Sequence, residues 1–386
     1  METRKRYYED CHLTEFTAQV ISCEAADRGY WVTLDATAFY PEGGGQACDL
    51  GSLGNAKVLD VQEEGETVLH LCDSPLTVGE TVTGRIDYAR RFDLMQQHSG
   101  EHIVSGIINR RFGYHNVGFH MGTGLVTIDF DGPIPVEELA RIELEANQAI
   151  WQNLPIKCWY PTPEELPTVN YRSKRALPWP VRVVEVPGFD KCACCGVHVA
   201  ATGEIGLIKL MTCIKFHEGV RIEMACGARA LNYLTAIYEQ NRQVSQAFSA
   251  KVLETGEAAR RMNEVLAAEK FKVAGLQKQV FASIARDYAG KGTVIHFEPG
   301  LQSAQVRELC DAIAEGCGGL AAVFSGTDAD GYSYCLMQRG GDLRSLNKAM
   351  TASLSGRGGG KPEYQQGSVK APRADIEAFF QKELQS

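Results

Sequence analysis

The heptapeptide QQHSGEH, residues 96–102, sets His98 and His102 four positions apart with Glu101 just before the second. The pattern H-x-x-E-H is an inverted zinc-peptidase signature, in which the acid serves as general base. Phe92, Met95, Ile103, Ile107 and Ile108 recur around it near helical spacing until GYHNVG ends the run, so a helix is predicted. On a helix the two histidines lie one above the other with Cβ atoms roughly 5–6 Å apart. Both rings can then reach one Zn²⁺ at about 2.0–2.1 Å. A pair of this kind is also common on helix surfaces and at caps, and alone it decides nothing.

The stretch KCACCGVH, residues 191–198, supplies a second half. A thiolate and an imidazole four apart, Cys194 and His198, complete a tetrahedron with His98 and His102. Cys195 stands beside Cys194 and Cys192 lies nearby, so the residues alone leave the sulfur ligand open. Two clusters of zinc ligands, one on a helix and one on a distant loop, point to a single metal site. A Cys-x-x-x-His completion does not suit peptidase chemistry, which needs a carboxylate ligand downstream. Glu101 projects about 100° around the helix from His102. It is therefore expected to face solvent or to buttress a ligand, with general base as a minority role.

The chain has 386 residues, 44% hydrophobic and 23% charged, which predicts two or three soluble globular domains. No apolar run approaches the roughly 18 residues that span a bilayer. The basic start METRKRYYEDCHLTEF lacks the apolar stretch of a secretion signal, and thirteen cysteines, an odd number, suit a reducing cytoplasm. Net charge is −9, yet residues 339–373 carry seven basic residues against Asp342 and Glu363. Such a local basic face can bind nucleic acid on an acidic molecule. A solvated surface explains it equally.

The organisation read from pattern is α+β and multidomain. Residues 1–90 alternate in short strands such as YWVTLDATAFY, AKVLDVQEE, TVLHLC and ETVTGRID, and predict a small β-barrel or sandwich. Residues 91–227 predict a mixed α+β domain: LVTIDF a strand, PVEELARIELEANQAIWQN a helix, VRVVEV a strand, GFDKCACCGVHVAATGEIG a loop, and LIKLMTCIKF with GVRIEMACG a hairpin. Residues 228–290 lack proline and space apolar residues at helical or near-heptad intervals, predicting one long helix or a helical hairpin with coiled-coil character. Residues 291–386 alternate strand and helix as a separate α/β domain. In it the GRGGGKP segment lacks Walker spacing and reads as a turn between Arg357 and Lys361.

HSGEH followed by CCGVHVAATGEIGLIKL resembles the HxxxH…CxxxH zinc site of the alanyl-tRNA synthetase editing domain and of its free-standing relatives, the AlaX proteins. FYPEGGGQACDLGSL is similar to the glycine-rich segment of that family's N-terminal barrel. The helical stretch with SGRGGGKPEYQQGS resembles the synthetase C-terminal part, the layout of the long AlaX form. Nothing precedes residue 1 that resembles an aminoacylation domain, so no tRNA charging is expected. The resemblance favours Cys194 over Cys195 and implies one zinc held by His98, His102, Cys194 and His198.

It also implies a cytoplasmic trans-editing hydrolase for mischarged tRNA(Ala), acting on Ser-tRNA(Ala) and, as a further substrate, Gly-tRNA(Ala). No membrane or DNA partner is expected, and a homodimer through the helical and C-terminal segments is one expectation beside a monomer. Gly43, Gly44, Gly45 and Gln46 are then expected to bring backbone N–H groups to the substrate, although glycine runs also simply supply turns. His115, Asn116 and His120 are expected to donate hydrogen bonds to it, and Arg344, Lys348, Arg357 and Lys361 to face tRNA. A size sieve cannot admit serine and glycine while rejecting alanine, so positive recognition is required. Four protein ligands close the tetrahedron, whereas catalytic zinc usually keeps a position open. Zinc therefore either expands its coordination to activate water or anchors substrate while a nearby water attacks. Two alternatives stay open: an editing hydrolase for another tRNA such as tRNA(Thr), and a tRNA-binding or oligomerisation module with structural zinc.

Overall fold

A computed structural model describes the chain except residues 1, 123, 174–176, 178 and 384–386. It is a mixed α+β protein with several sheets, divided into two compact units, Met1–Gln243 and Val244–Ser386.

Besides the two-residue parallel pair Arg4–Lys5 and Ala36–Thr37, the first unit opens with six strands: β1 (Glu15–Ala26), β2 (Gly29–Leu34), β3 (Gly51–Leu53), β4 (Ala56–Glu64), β5 (Thr67–Cys72) and β6 (Thr81–Ile86). They close on themselves in the order β1-β2-β5-β4-β3-β6, with β6 pairing back onto β1. Alternation sends Phe16, Ala18, Val20, Val32, Leu34 and Val58 inward to a sealed core. Two of these strands, β1 and β3, are not among those predicted from pattern. Alternation in β1 fades after Val20, where the register shifts, and β3 lies inside GSLGN, which turn chemistry claims.

Helix α1 (Tyr88–Phe112) follows. The Asp87 carboxylate accepts from the Arg90 N–H at its start, and Gly113, at φ 75°, ends it with a left-handed residue. From Leu94 to Ile108 every side chain is buried, so α1 is the axis of this unit rather than an amphipathic surface helix. Against it packs a four-stranded sheet in the order β12-β13-β8-β7, built from β7 (Asn116–Met121), β8 (Val126–Phe130), β12 (Ile208–Phe216) and β13 (Gly219–Cys226). Helix α2 (Leu139–Trp151) shares that core through Ile142, Ala146 and Ile150. A smaller sheet joins β9 (Lys157–Trp159), β10 (Val183–Val186) and β11 (Asp190–Ala193). The segment expected to be wholly loop thus begins as β11, an antiparallel partner of β10, and only Cys194 onward leaves the sheet. Its polar residues hid it from an apolar strand pattern.

The region expected as one long helix or a hairpin is two helices, α3 (Gly227–Ala247) and α4 (Thr255–Asp287). Ser249, at φ 49°, breaks the run between them, so a single continuous helix is ruled out. In the second unit, β14 (Gly292–Phe297), β15 (Gly318–Thr327), β16 (Gly331–Met337), β17 (Arg357–Lys361) and β18 (Tyr364–Val369) form one sheet, ordered β14-β15-β16-β18-β17. Helix α5 (Ser303–Gly316) with the end of α4 covers one face; α6 (Arg344–Ser353) and α7 (Arg373–Glu383) cover the other. The GRGGGKP segment is therefore not a turn: Arg357–Lys361 is an exposed edge strand, paired residue by residue with Tyr364–Ser368.

Candidate metal centre

One turn of α1 presents His98 and His102, and the chain beyond β11 brings Cys194 and His198 against them. The donor atoms of these four side chains all lie within 4.8 Å of one another. Cys194 Sγ is 3.4 Å from His98 Nε2, and the three imidazole centroids are 4.6–5.3 Å apart. Cys195, the alternative sulfur, is exposed and is not in this group.

Each imidazole is held at Nδ1 by a different partner, which leaves Nε2 for the cluster. His98 Nδ1 lies 2.9 Å from Gln46 Oε1, His102 Nδ1 lies 2.9 Å from Asp190 Oδ2, and His198 Nδ1 lies 3.3 Å from Ser99 Oγ. Such outer partners fix the tautomer and aim of a metal-binding histidine. Gln46 is fixed in turn, since its Oε1 also accepts the Val197 N–H at 3.2 Å, and Ser99 Oγ accepts the Val199 N–H. Asp190 is clamped by Arg172, with Nε to Oδ1 at 2.7 Å and Nη2 to Oδ2 at 2.9 Å.

Two glycine-dependent features make this assembly possible. Gly44 and Gly45, at φ 60° and 82°, form a two-residue turn closed by reciprocal Gly43–Gln46 backbone bonds, which delivers Gln46 to His98. Gly196 lets the ligand loop pass the ring of His98. A Cβ there would stand 2.2 Å from His98 Cε1, a separation no side chain tolerates.

The electrostatics suit a cation. Burial opposes ionisation of Cys194, but the surrounding imidazoles of His98, His102 and His198 outweigh it, and the thiol sits well below its ordinary value. Burial, with His98 adding to it, pushes His198 down to about 3, so its ring is neutral. Its Nε2 is buried without any hydrogen-bond partner, a lone pair open to a proton donor or a metal ion. One thiolate and three imidazoles at this spacing fit a tetrahedral metal ion. A second set, His102, Asp190 and Cys192, fits less well, because Asp190 is already committed to Arg172 and to His102 Nδ1. Replacing Asp190 by Asn removes the charge that orients His102. Metal affinity is expected to fall roughly 10–100-fold, read by competition with a chromophoric chelator.

Three of the four, His98, His102 and Cys194, line a cavity of about 880 Å³. Gly44, Gly45, His115 and Asn116 also line it, whereas Gln46 lies behind His98, and Gly43 and His120 are not among its lining residues. His115 is exposed and paired with Asp131. Asn116 is not available as the expected donor. Its amide nitrogen is committed to the Glu101 carboxylate and to Ser105 Oγ, which leaves its carbonyl oxygen buried and unpartnered. Glu101 does not face solvent, because α1 is enclosed on all sides. It accepts from Ser105 and Asn116 and borders the cavity. Sequence reasoning missed Asp190, Arg172 and Ser99; Phe119, whose ring centroid lies 5.2 Å from that of His98; and Arg182, which donates to the Cys194 carbonyl. None stands in a motif, and only the acid in GFDKC next to the cysteine cluster offered a hint.

The four basic residues expected to face tRNA lie in the second unit. Arg344 is engaged by Asp342, while Lys348 on α6 and Arg357 and Lys361 on β17 are exposed and form no ion pair with any described residue. No helix among the described residues is long and apolar enough to cross a membrane.

Comparison with known proteins bears on both halves of the first unit. The family "Threonyl and Alanyl tRNA synthetase second additional domain" matches residues 181–223, which include Cys194 and His198. The family "tRNA synthetases class II (A)" matches residues 4–90. An alanyl-tRNA editing protein of Xenopus laevis, Aarsd1-A, is 28% identical over 400 residues, covering 98% of this chain and 97% of the relative. The mouse alanyl-tRNA editing protein Aarsd1 is 30% identical over 272 residues, 66% of each. An alanine–tRNA ligase of Ignicoccus hospitalis is 34% identical over 260 residues, 64% of this chain and 28% of the ligase. The chain thus spans a minor part of that ligase and nearly all of the Xenopus editing protein. It belongs to the alanyl-tRNA editing protein family, which is related to alanyl-tRNA synthetase.

Proposed function

We propose that the protein is a cytoplasmic aminoacyl-tRNA deacylase that hydrolyses the ester of mischarged tRNA(Ala) in trans. Ser-tRNA(Ala) is its first substrate and Gly-tRNA(Ala) a further one. His98, His102, Cys194 and His198 would hold one zinc ion. The observation that carries the reading is the convergence of three Nδ1-anchored imidazoles and one cysteine sulfur, of which His98, His102 and Cys194 line a cavity of about 880 Å³. Bound zinc supplies polarisation of a carbonyl or a water whose pKa is lowered to about 7.

The remaining work falls to the chain's own groups. Gly44 and Gly45 bring bare backbone to the cavity, where a substrate can approach closely. Glu101 and Ser105 hold the Asn116 amide so that its carbonyl oxygen accepts from the seryl hydroxyl or the α-ammonium group. An acceptor of this kind rewards a substrate that has the donor, the stronger form of discrimination. Glu101 serves here as a positioning residue. Lys348, Arg357 and Lys361 would meet tRNA phosphates, with the second unit serving tRNA binding or self-association.

Four protein donors are also the closed set of a structural zinc, which favours a tRNA-binding module as the second reading. The cluster's place beside an open cavity favours the enzyme. Deacylation assays with Ser-, Gly- and Ala-tRNA(Ala) and with Ser-tRNA(Thr) separate the readings. Rapid loss of Ser-tRNA(Ala) with Ala-tRNA(Ala) spared is the expected result. No hydrolysis of any substrate by zinc-loaded protein would leave the structural module.

A further inference from the structure

A stretch of the cavity wall away from Asn116 has no role in the scheme above. Arg182, at the entry to β10, is 9% exposed, and its Nη1 donates to the carbonyls of Cys194 at 3.0 Å and Gly196 at 2.8 Å. Its guanidinium lies 4.4 Å from the centroid of the Tyr8 ring, which is pinned by its own hydroxyl donating to the Cys195 carbonyl. Arg182 forms no ion pair with any described residue. Among the described residues, the cavity's other arginine, Arg172, is neutralised by Asp190, and its Lys5 by Glu63. A guanidinium almost withdrawn from water with no counter-ion is costly unless an anion arrives to pair with it.

Tyr160 borders the same cavity, edge-on to Tyr8 with centroids 6.5 Å apart, and remains 52% exposed. A large ring left half in solvent beside an unpaired cation is the combination by which proteins hold unpaired nucleotides, base on ring and phosphate on arginine. The metal ligand Cys194 is directly bonded to this wall through Arg182. An ester over the cluster therefore places its ribose within one nucleotide of both groups.

We propose that Arg182 and Tyr160 form the subsite for the last nucleotide of the RNA 3′ end, with Arg182 holding its phosphate and Tyr160 stacking its base. This rests on the editing reading and extends it from the ester to the nucleotide that carries it. The competing account is that Arg182 only braces the ligand loop through its two carbonyl contacts.

The test uses the full chain, loaded with zinc, and uncharged tRNA(Ala) in fluorescence-anisotropy titrations. Tyr160→Ala is expected to weaken binding of intact tRNA about 5- to 100-fold and to leave tRNA lacking its final nucleotide unaffected. A neutral methylphosphonate in place of the last phosphodiester should weaken binding to the wild type and have no further effect on Arg182→Gln. A merely bracing arginine would leave that penalty intact, which overturns its part. Equal effects of Tyr160→Ala on both RNAs, or none, overturn the stacking part. Tyr160 is exposed, so its variant keeps the test valid if Arg182→Gln does not fold. Wild-type protein that deacylates Ser-tRNA(Ala) while the variants fail these discriminations refutes the subsite alone. Wild-type protein inert toward every mischarged tRNA refutes the editing reading itself.

Discussion

Cys194→Ala is expected to abolish metal binding and deacylation together, while Cys195→Ala leaves one metal ion per chain. Cys194 is the sulfur among the three imidazoles, and its thiolate would balance the charge of a dication held there. Its removal leaves three imidazoles without the thiolate ligand, so the loss should exceed the roughly 10–100-fold expected for an outer partner such as Asp190. Cys195 lies outside the group, and its carbonyl accepts from the Tyr8 hydroxyl. Metal content by mass spectrometry and Ser-tRNA(Ala) hydrolysis should fall in step in the first variant. Full metal content in Cys194→Ala would refute the assigned ligand set. Bound metal in Cys195→Ala with activity lost would instead place the Cys195 thiol in the chemistry.

The second large effect concerns an ion pair outside the His/Cys cluster. Asp49 and Arg91 are both buried, with Arg91 Nε 2.8 Å from Asp49 Oδ1 and Arg91 Nη2 also bonded to that carboxylate. Arg91 Nη2 reaches the Ala38 carbonyl at 2.6 Å, and Asp49 Oδ2 accepts the Tyr40 N–H at 2.6 Å. This pair fastens both ends of the glycine segment to α1, and so holds Gln46 against His98. Asp49→Asn leaves an unpaired guanidinium in the interior, a defect that costs about 3–5 kcal/mol. Urea unfolding should show a midpoint lowered accordingly. Replacing both partners, as in Asp49→Leu with Arg91→Met, should recover much of that stability, since a matched apolar pair carries no stranded charge. A change below about 1 kcal/mol in Asp49→Asn would show that water reaches the pair.

Much of the site was legible in residue types and spacing. Two histidines four apart on a helix, and a cysteine and histidine four apart after a glycine-containing stretch, restrict each pair to one side of a common point. The helix itself was legible from Phe92 to Ile108, and its end from Gly113. The roles of single residues were less so. Glu101 looked solvent-facing from its angular position, but α1 is enclosed all round, so every direction from it is interior. Asn116 carried donor and acceptor equally in the sequence, and only its neighbours Glu101 and Ser105 decide which end remains.

Composition and local pattern by themselves determined the mixed architecture, the strand-rich start, the histidine helix and the ligand types. These depend on periodicity and side-chain chemistry, which act over a few residues. Where residue types left Cys194 and Cys195 open and only the resemblance favoured Cys194, the tertiary structure turns the Cys194 sulfur to the histidines and leaves Cys195 exposed. It alone supplied Gln46, Asp190 and Ser99 as holders of the three rings, from positions 52, 88 and 99 residues away from their partners in sequence. Contacts across such distances depend on how separate elements pack, and that information is spread over the whole first unit rather than written in any one stretch.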